Sequence, residues 1–217
     1  VTQLERDDAP APLGLRERNK ADKLQRIRQA AYELFTEKGY DDTTTREIAR
    51  RADVGLGTLF SYASDKRDLL FLIFNAEIEE VCAAGARAAE KPAPLVDQLI
   101  AFFASYYRFF ARQPQLSRFM LRELAFYAEG KEVLRFQAGR DRLLACLADL
   151  ITRARADGRL GTREDAALIA QALFTTYAAE LRTWIGADTP DLAQGLARLK
   201  RMLTLQFRGL EPRAGAL

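Results

Sequence analysis

The 217-residue chain contains no histidine, two cysteines, two methionines and one tryptophan. Lacking histidine, it lacks the commonest general base and the commonest metal ligand. Cys82 and Cys146 lie far apart without metal-ligand spacing, and both read as buried free thiols rather than a redox pair. No carboxylate pair or nucleophile–base set emerges, so no enzyme activity, catalytic residue, metal or cofactor is expected. Long apolar runs are also missing. A membrane-spanning helix needs about 18 apolar residues, and the densest stretch here runs only from Leu69 to Phe74. The opening VTQLERDDAPAPLG has no apolar core of a signal peptide, which leads to the expectation of a cytoplasmic protein with no membrane partner. Strand-like alternation is absent, and β-branched residues are sparse outside Thr43–Thr45.

What is present is helical periodicity and an uneven distribution of charge. The net charge is only +3. Residues 16–28 nevertheless carry Arg16, Arg18, Lys20, Lys23, Arg26 and Arg28 against Glu17 and Asp22. Glu33, Glu37, Asp41 and Asp42 follow, and then Arg46, Arg50 and Arg51. A small domain built this way has a basic side and an acidic side. Residues 1–21, with Pro10 and Pro12 among charges, read as a disordered tail. A first helix starts at Asp22, with Leu24, Ile27, Ala31, Leu34 and Phe35 on one face, and stops at Gly39. Two short helices follow, Thr45–Ala52 and Leu56–Tyr62. A fourth is expected to run unbroken from Ser64–Asp65 to Lys91, about 39 Å at 1.5 Å per residue. Five more, punctuated by Pro94, Pro114, Gly130, Gly158, Gly186 and Pro190, complete an all-α chain. Its expected parts are the tail, a small three-helix domain over 22–67 and a larger helical domain over 68–217.

The segment Thr43–Leu70 carries the chemistry. Thr44 is an N-cap with Glu47 three residues on, a capping box. Ile48, Ala49 and Ala52 face inward, while Arg46, Arg50 and Arg51 face out. Asp53-Val54-Gly55 makes the turn, with Val54 filling the angle between the helices and Asp53 and Gly55 able to tolerate a left-handed backbone. The helix after it is short, with Leu59 inward, Thr58, Ser61 and Tyr62 outward, and Gly57 open to close approach. Two helices joined by such a turn form a helix-turn-helix, the second helix being the DNA-reading one.

The segment resembles the DNA-binding domain of the TetR family of transcriptional regulators. The resemblance rests on Gly39-Tyr40, Thr44, Arg46, Ile48-Ala49, Ala52, Val54, Gly57-Thr58-Leu59, Tyr62, Lys66 and Leu69 at matching spacing. It implies that Thr44, Arg46, Tyr62 and Lys66 hold phosphates, while Leu56, Gly57, Thr58 and Ser61 approach base edges. The chain departs from the family pattern at Asp53, Gly55, Leu56, Phe60 and Ala63. The DNA-binding mode is retained in this reading, and the operator sequence is left open.

In the remainder, PLVDQLIAFFASYYRFFARQP is apolar nearly all round, as a helix buried on most faces must be. Phe102, Phe103, Tyr106 and Tyr107, with Phe119, Met120, Phe126 and Tyr127, are expected to wall a pocket for a small apolar or aromatic ligand. Leu173, Tyr177 and Leu181 on one late helix, and Leu192, Leu196, Leu199 and Leu203 on the next, are expected to form a homodimer seam. The function expected is a ligand-responsive, TetR-like repressor that binds a palindromic DNA operator as a dimer and is released by a small, largely apolar ligand. The alternative is a helical small-molecule-binding protein whose DNA binding is impaired or lost, as the changes at Leu56, Phe60 and Ala63 would permit.

Overall fold

A computed structural model describes residues 14–126 and 129–209. These fold into ten α-helices: α1 (Leu15–Glu37), α2 (Thr45–Arg51), α3 (Leu56–Tyr62), α4 (Lys66–Asn75), α5 (Ile78–Ala89), α6 (Leu95–Ala111), α7 (Pro114–Leu124), α8 (Lys131–Ala156), α9 (Ala166–Ile185) and α10 (Leu192–Arg208). No strand occurs among the described residues, and no described helix is long and apolar enough to cross a membrane. The chain divides into two compact units between Tyr62 and Ala63. The sequence placed that division five residues later, after position 67. Residues 63–67 belong instead with the helices that follow.

In the first unit, α1 buries Ile27, Ala30, Ala31, Leu34 and Phe35. The expected tail is too long. Helix α1 begins at Leu15, one residue after its N-cap Gly14, so residues 15–21 are helical, while 1–13 lie outside the described residues. Its first turns escape the periodicity because they bury nothing, and Leu15 is exposed. Good helix formers without proline extend the helix there. Helix α2 packs on α1 and α3. Thr43, buried before α2, donates its hydroxyl to the carbonyls of Gly39 at 2.7 Å and Leu34 at 3.1 Å, closing the corner after α1.

In the second unit, α6 is the centre, packed by α5, α7, α9 and α10. It buries Leu99, Phe102, Phe103, Tyr106, Tyr107, Phe109 and Phe110. Helix α5 comes so close to α6 that a Cβ on Gly85 would lie 2.9 Å from the Phe102 carbonyl oxygen, so only glycine fits there. The single long fourth helix is not observed. The helix closes at Ala76, and Glu77 leaves helical geometry at φ −123° before α5 resumes. Buried Asn75 lies at the interruption. Its amide donates to the Glu132 carbonyl at 2.7 Å and the Glu132 carboxylate at 2.8 Å, tying the end of α4 to the first turn of α8.

The expected dimer seam is also corrected. Leu173, Tyr177, Leu181, Leu199 and Leu203 are 0–3 % exposed within one chain, so they are core. Leu192 and Leu196 are half-buried. Stripes on α9 and α10 face each other and α6, which already satisfies them.

Candidate functional site

The helix-turn-helix forms from local signals. Thr44 Oγ1 accepts from the Glu47 N–H, and Glu47 Oε2 accepts from the Thr44 N–H at 2.9 Å, completing the capping box. The Lys38 ammonium and the two Thr44 groups hold the Glu47 carboxyl down to about 2. The turn needs a left-handed residue, and Asp53 supplies it at φ 52°. Arg26 of α1 fastens that turn by donating to the Ala52 carbonyl at 3.0 Å, with Asp53 Oδ2 at 3.4 Å. Gly57 sits inside α3 with nothing within 4 Å of where a Cβ would be. Packing within the protein does not require a glycine there, although glycine weakens a helix.

The outward positions differ in their freedom. Thr44 and Arg46 are exposed, while Leu56 and Thr58 are half-exposed at the start of α3. Ser61 donates its hydroxyl to the Thr58 carbonyl at 2.7 Å. Tyr62, expected at a phosphate, donates its hydroxyl to the Lys20 carbonyl at 3.2 Å and so braces α1 against the end of α3. Arg16, Lys20 and Lys23 line a shallow cleft with Tyr62, a basic surface on the extended α1. Arg51 turns the other way, to Glu37 at 2.9 Å and Glu33 at 3.5 Å. Acidic residues of α1 thus neutralise the back of α2 and leave Arg46 on the open side. Lys66 lies in the second unit as the first residue of α4, behind its N-cap Asp65.

A cavity of about 280 Å³ opens among α5, α6, α7, α8 and α9. Its apolar wall includes Ile78, Tyr106, Phe110, Leu121, Phe136 and Leu143, and its polar groups include Gln137, Arg140 and Arg182. Both arginines are exposed, marking the side that meets solvent. Of the expected pocket residues only Tyr106 lines this cavity. Phe102, Phe103, Tyr107 and Met120 are core at 0–1 % exposure, Phe119 is half-buried, and Phe126 is 96 % exposed. Tyr127 lies outside the described residues. Sequence reading placed Phe119 and Met120 of α7 in the pocket where Leu121 and Leu124 line it, and missed α8 and α9, because no single helix carries the cavity.

Cys82 and Cys146, distant in sequence, are brought beside each other, and both are free thiols. Burial, then the neighbouring Cys82, pushes the Cys146 thiol up to about 11, which disfavours the reactive thiolate.

Helix α8 ties the cavity to α4. Buried Asp68 accepts the N–H groups of Glu132 at 2.8 Å and Val133 at 3.2 Å in the first turn of α8, and also the Ser64 N–H at 2.9 Å. A carboxylate there suits the positive end of the helix dipole.

With the turn, capping box and recognition helix in place, residues 27–73 match the family described as bacterial regulatory proteins, tetR family. That match covers the DNA-binding segment, and the rest of the chain is similar to TetR-family transcriptional regulators. Over 186 residues it is 29 % identical to the HTH-type transcriptional repressor KstR of Mycolicibacterium smegmatis, covering 84 % of this chain and 87 % of that one. Thermus thermophilus FadR, a TetR-family repressor in complex with lauroyl-CoA, superposes with a TM-score of 0.67 at 27 % identity, covering 88 % of this chain and 98 % of that chain. Bacillus subtilis FadR in complex with stearoyl-CoA shares the fold, with a TM-score of 0.68 at 21 % identity and coverage of 86 % and 99 %. The relatives that it matches along most of its length are transcriptional regulators.

Proposed function

We propose that this TetR-family regulator is a dimeric repressor that leaves a palindromic operator when an acyl thioester of coenzyme A fills the cavity of its second unit. The observation that carries the reading is that cavity, with its apolar wall of about 280 Å³ and exposed Arg140 and Arg182. Its volume sits near the lower limit of small-molecule sites. The apolar wall suits an acyl chain, and two guanidinium groups suit the phosphates of the carrier. The lauroyl-CoA complex of Thermus thermophilus FadR supports the assignment of ligand class.

In this reading Thr44, Arg46 and Lys66 hold phosphates, and Leu56, Thr58 and Ser61 meet base edges, with Gly57 admitting close approach. Release runs through α8. Phe136, Gln137, Gly139, Arg140 and Leu143 of α8 line the cavity, and the first turn of α8 is capped by Asp68 of α4. A ligand that displaces α8 therefore displaces α4, which the chain joins to the recognition helix through residues 63–65. Such coupling typically amounts to about 1–3 kcal/mol.

The test uses purified protein and an operator selected from a random-sequence DNA library. Lauroyl-CoA, but not coenzyme A alone, is expected to raise the melting temperature and weaken operator binding, because a ligand of the folded form stabilises it. No shift in melting and unchanged operator affinity would remove the assignment.

A further inference from the structure

Tyr106 stands apart from the other aromatic residues of α6. It reaches the cavity wall, yet it is only 4 % exposed and its hydroxyl has no hydrogen-bonding partner in the protein. The neighbouring Tyr107 hydroxyl is also unpartnered but does not line the cavity. A phenylalanine would fill the same volume without burying an unsatisfied hydroxyl, so packing alone does not account for tyrosine here.

The ring is held in place. Its centroid lies 5.8 Å from that of Phe102 and 5.9 Å, edge-on, from that of Tyr177. The Cys82 thiol lies beside the hydroxyl without forming a bond of good geometry, and sulfur is a weak acceptor in any case. Burial keeps the phenol protonated far above its usual range, so this wall residue carries a neutral donor rather than an anion. Besides Gln137, the cavity's polar groups are of different kinds: exposed guanidinium groups stand where it meets solvent, and the wall residue Tyr106 carries a buried donor.

A saturated hydrocarbon chain would match the wall and leave that donor unpaired. We infer that Tyr106 is a specificity residue that donates its hydroxyl to an acceptor oxygen, a carbonyl or a hydroxyl, carried on the buried apolar body of the effector. The regulator then responds to oxygenated acyl groups in preference to plain chains of the same length. The inference rests on the cavity being the effector site. It does not require the carrier to be coenzyme A.

Two matched probe pairs test it on the full chain. The first pair is lauroyl-CoA and 11-oxododecanoyl-CoA, compared by titration calorimetry. The second is butylbenzene and 4-phenylbutan-2-one, compared by thermal shift. Each is applied to wild type, Tyr106→Phe and Tyr107→Phe. In each pair the ketone is expected to bind wild type roughly tenfold more tightly, the scale of one neutral hydrogen bond. That ratio should fall to about one in Tyr106→Phe and persist in Tyr107→Phe, whose hydroxyl lies off the cavity. A ketone preference in the neutral pair, with neither thioester binding, would remove the thioester reading and sustain the role of Tyr106. Equal binding within the pairs by wild type, an unchanged ratio in Tyr106→Phe, or no binding of either ketone overturns the inference.

Discussion

Arg46 and Arg51 show how one side chain's surroundings decide its use. They stand five residues apart in the same basic stretch, yet Arg51 is bound by Glu33 and Glu37 while Arg46 is exposed on the other side of α2. Arg46→Ala is therefore expected to weaken both operator and non-specific DNA binding, as is Lys66→Ala. Each should reduce the slope of log affinity against log salt by about one. Arg51→Ala should leave that slope unchanged. Fluorescence anisotropy across a salt series distinguishes the three, and unchanged slopes in the first two would remove the phosphate assignment. A second outcome concerns Glu47. Its folded carboxyl is held at about 2, below the ordinary glutamate value. The Lys38 pairing and, after it, the capping box therefore contribute stability that is fully present above the unfolded value and is lost as pH falls through about 2. An NMR titration of the Glu47 carboxyl carbon should give a midpoint well below those of the other exposed glutamates.

The elements divide between those whose boundaries are written locally and those set by distant contacts. The second and third helices were legible to the residue or nearly so, because a Thr44–Glu47 box, an Asp53 corner and the inward Ile48, Ala49 and Leu59 are all local. The interruption at Ala76–Glu77 was not legible. No glycine or proline stands there, and the contact beside it is a long-range one, from Asn75 to Glu132, 57 residues away. The cavity was half legible for the same reason. An aromatic α6 signalled buried surface, but which of its faces opens was decided by α7, α8 and α9. Asp68, flanked by the apolar run that follows it, was the overlooked polar signal, and it belongs to the connection between α4 and α8. Asp68→Ala is expected to cost about 1.5–3 kcal/mol in chemical denaturation, since it leaves the Glu132 and Val133 N–H groups without their charged acceptor. In folded variant protein, effector affinity should be retained while the effector's influence on operator affinity shrinks. Full coupling in the variant would show that the path from cavity to α4 runs elsewhere.

At the scale of the whole molecule, the question is what remains for a partner once each chain has satisfied its own core. The leucines that repeat most regularly are spent: Leu199 and Leu203 are 0 % exposed inside a single chain. What the last two helices leave outside is a different set, Leu168 of α9 at 59 % exposure, with Met202 and Leu205 of α10 at 37 % and 46 %. Ala172 and Ala179 continue the exposed side of α9 without bulk. Small residues beside exposed large ones allow two helix pairs to approach as a four-helix bundle, the two-fold arrangement that presents two reading heads to a palindrome. The substitutions that test this follow from exposure rather than from heptad spacing. Leu168→Asp combined with Leu205→Asp is expected to give a folded monomer, because surface changes away from the core usually alter stability by no more than about 0.5 kcal/mol. Helical circular dichroism should be preserved and operator affinity should fall sharply, as the second reading head is no longer tethered. Leu199→Asp with Leu203→Asp should instead unfold the chain, since it buries charge in an apolar core. Analytical ultracentrifugation at micromolar concentration separates the cases. A wild-type monomer, or a dimer that survives the outer substitutions, would move the interface away from α9 and α10.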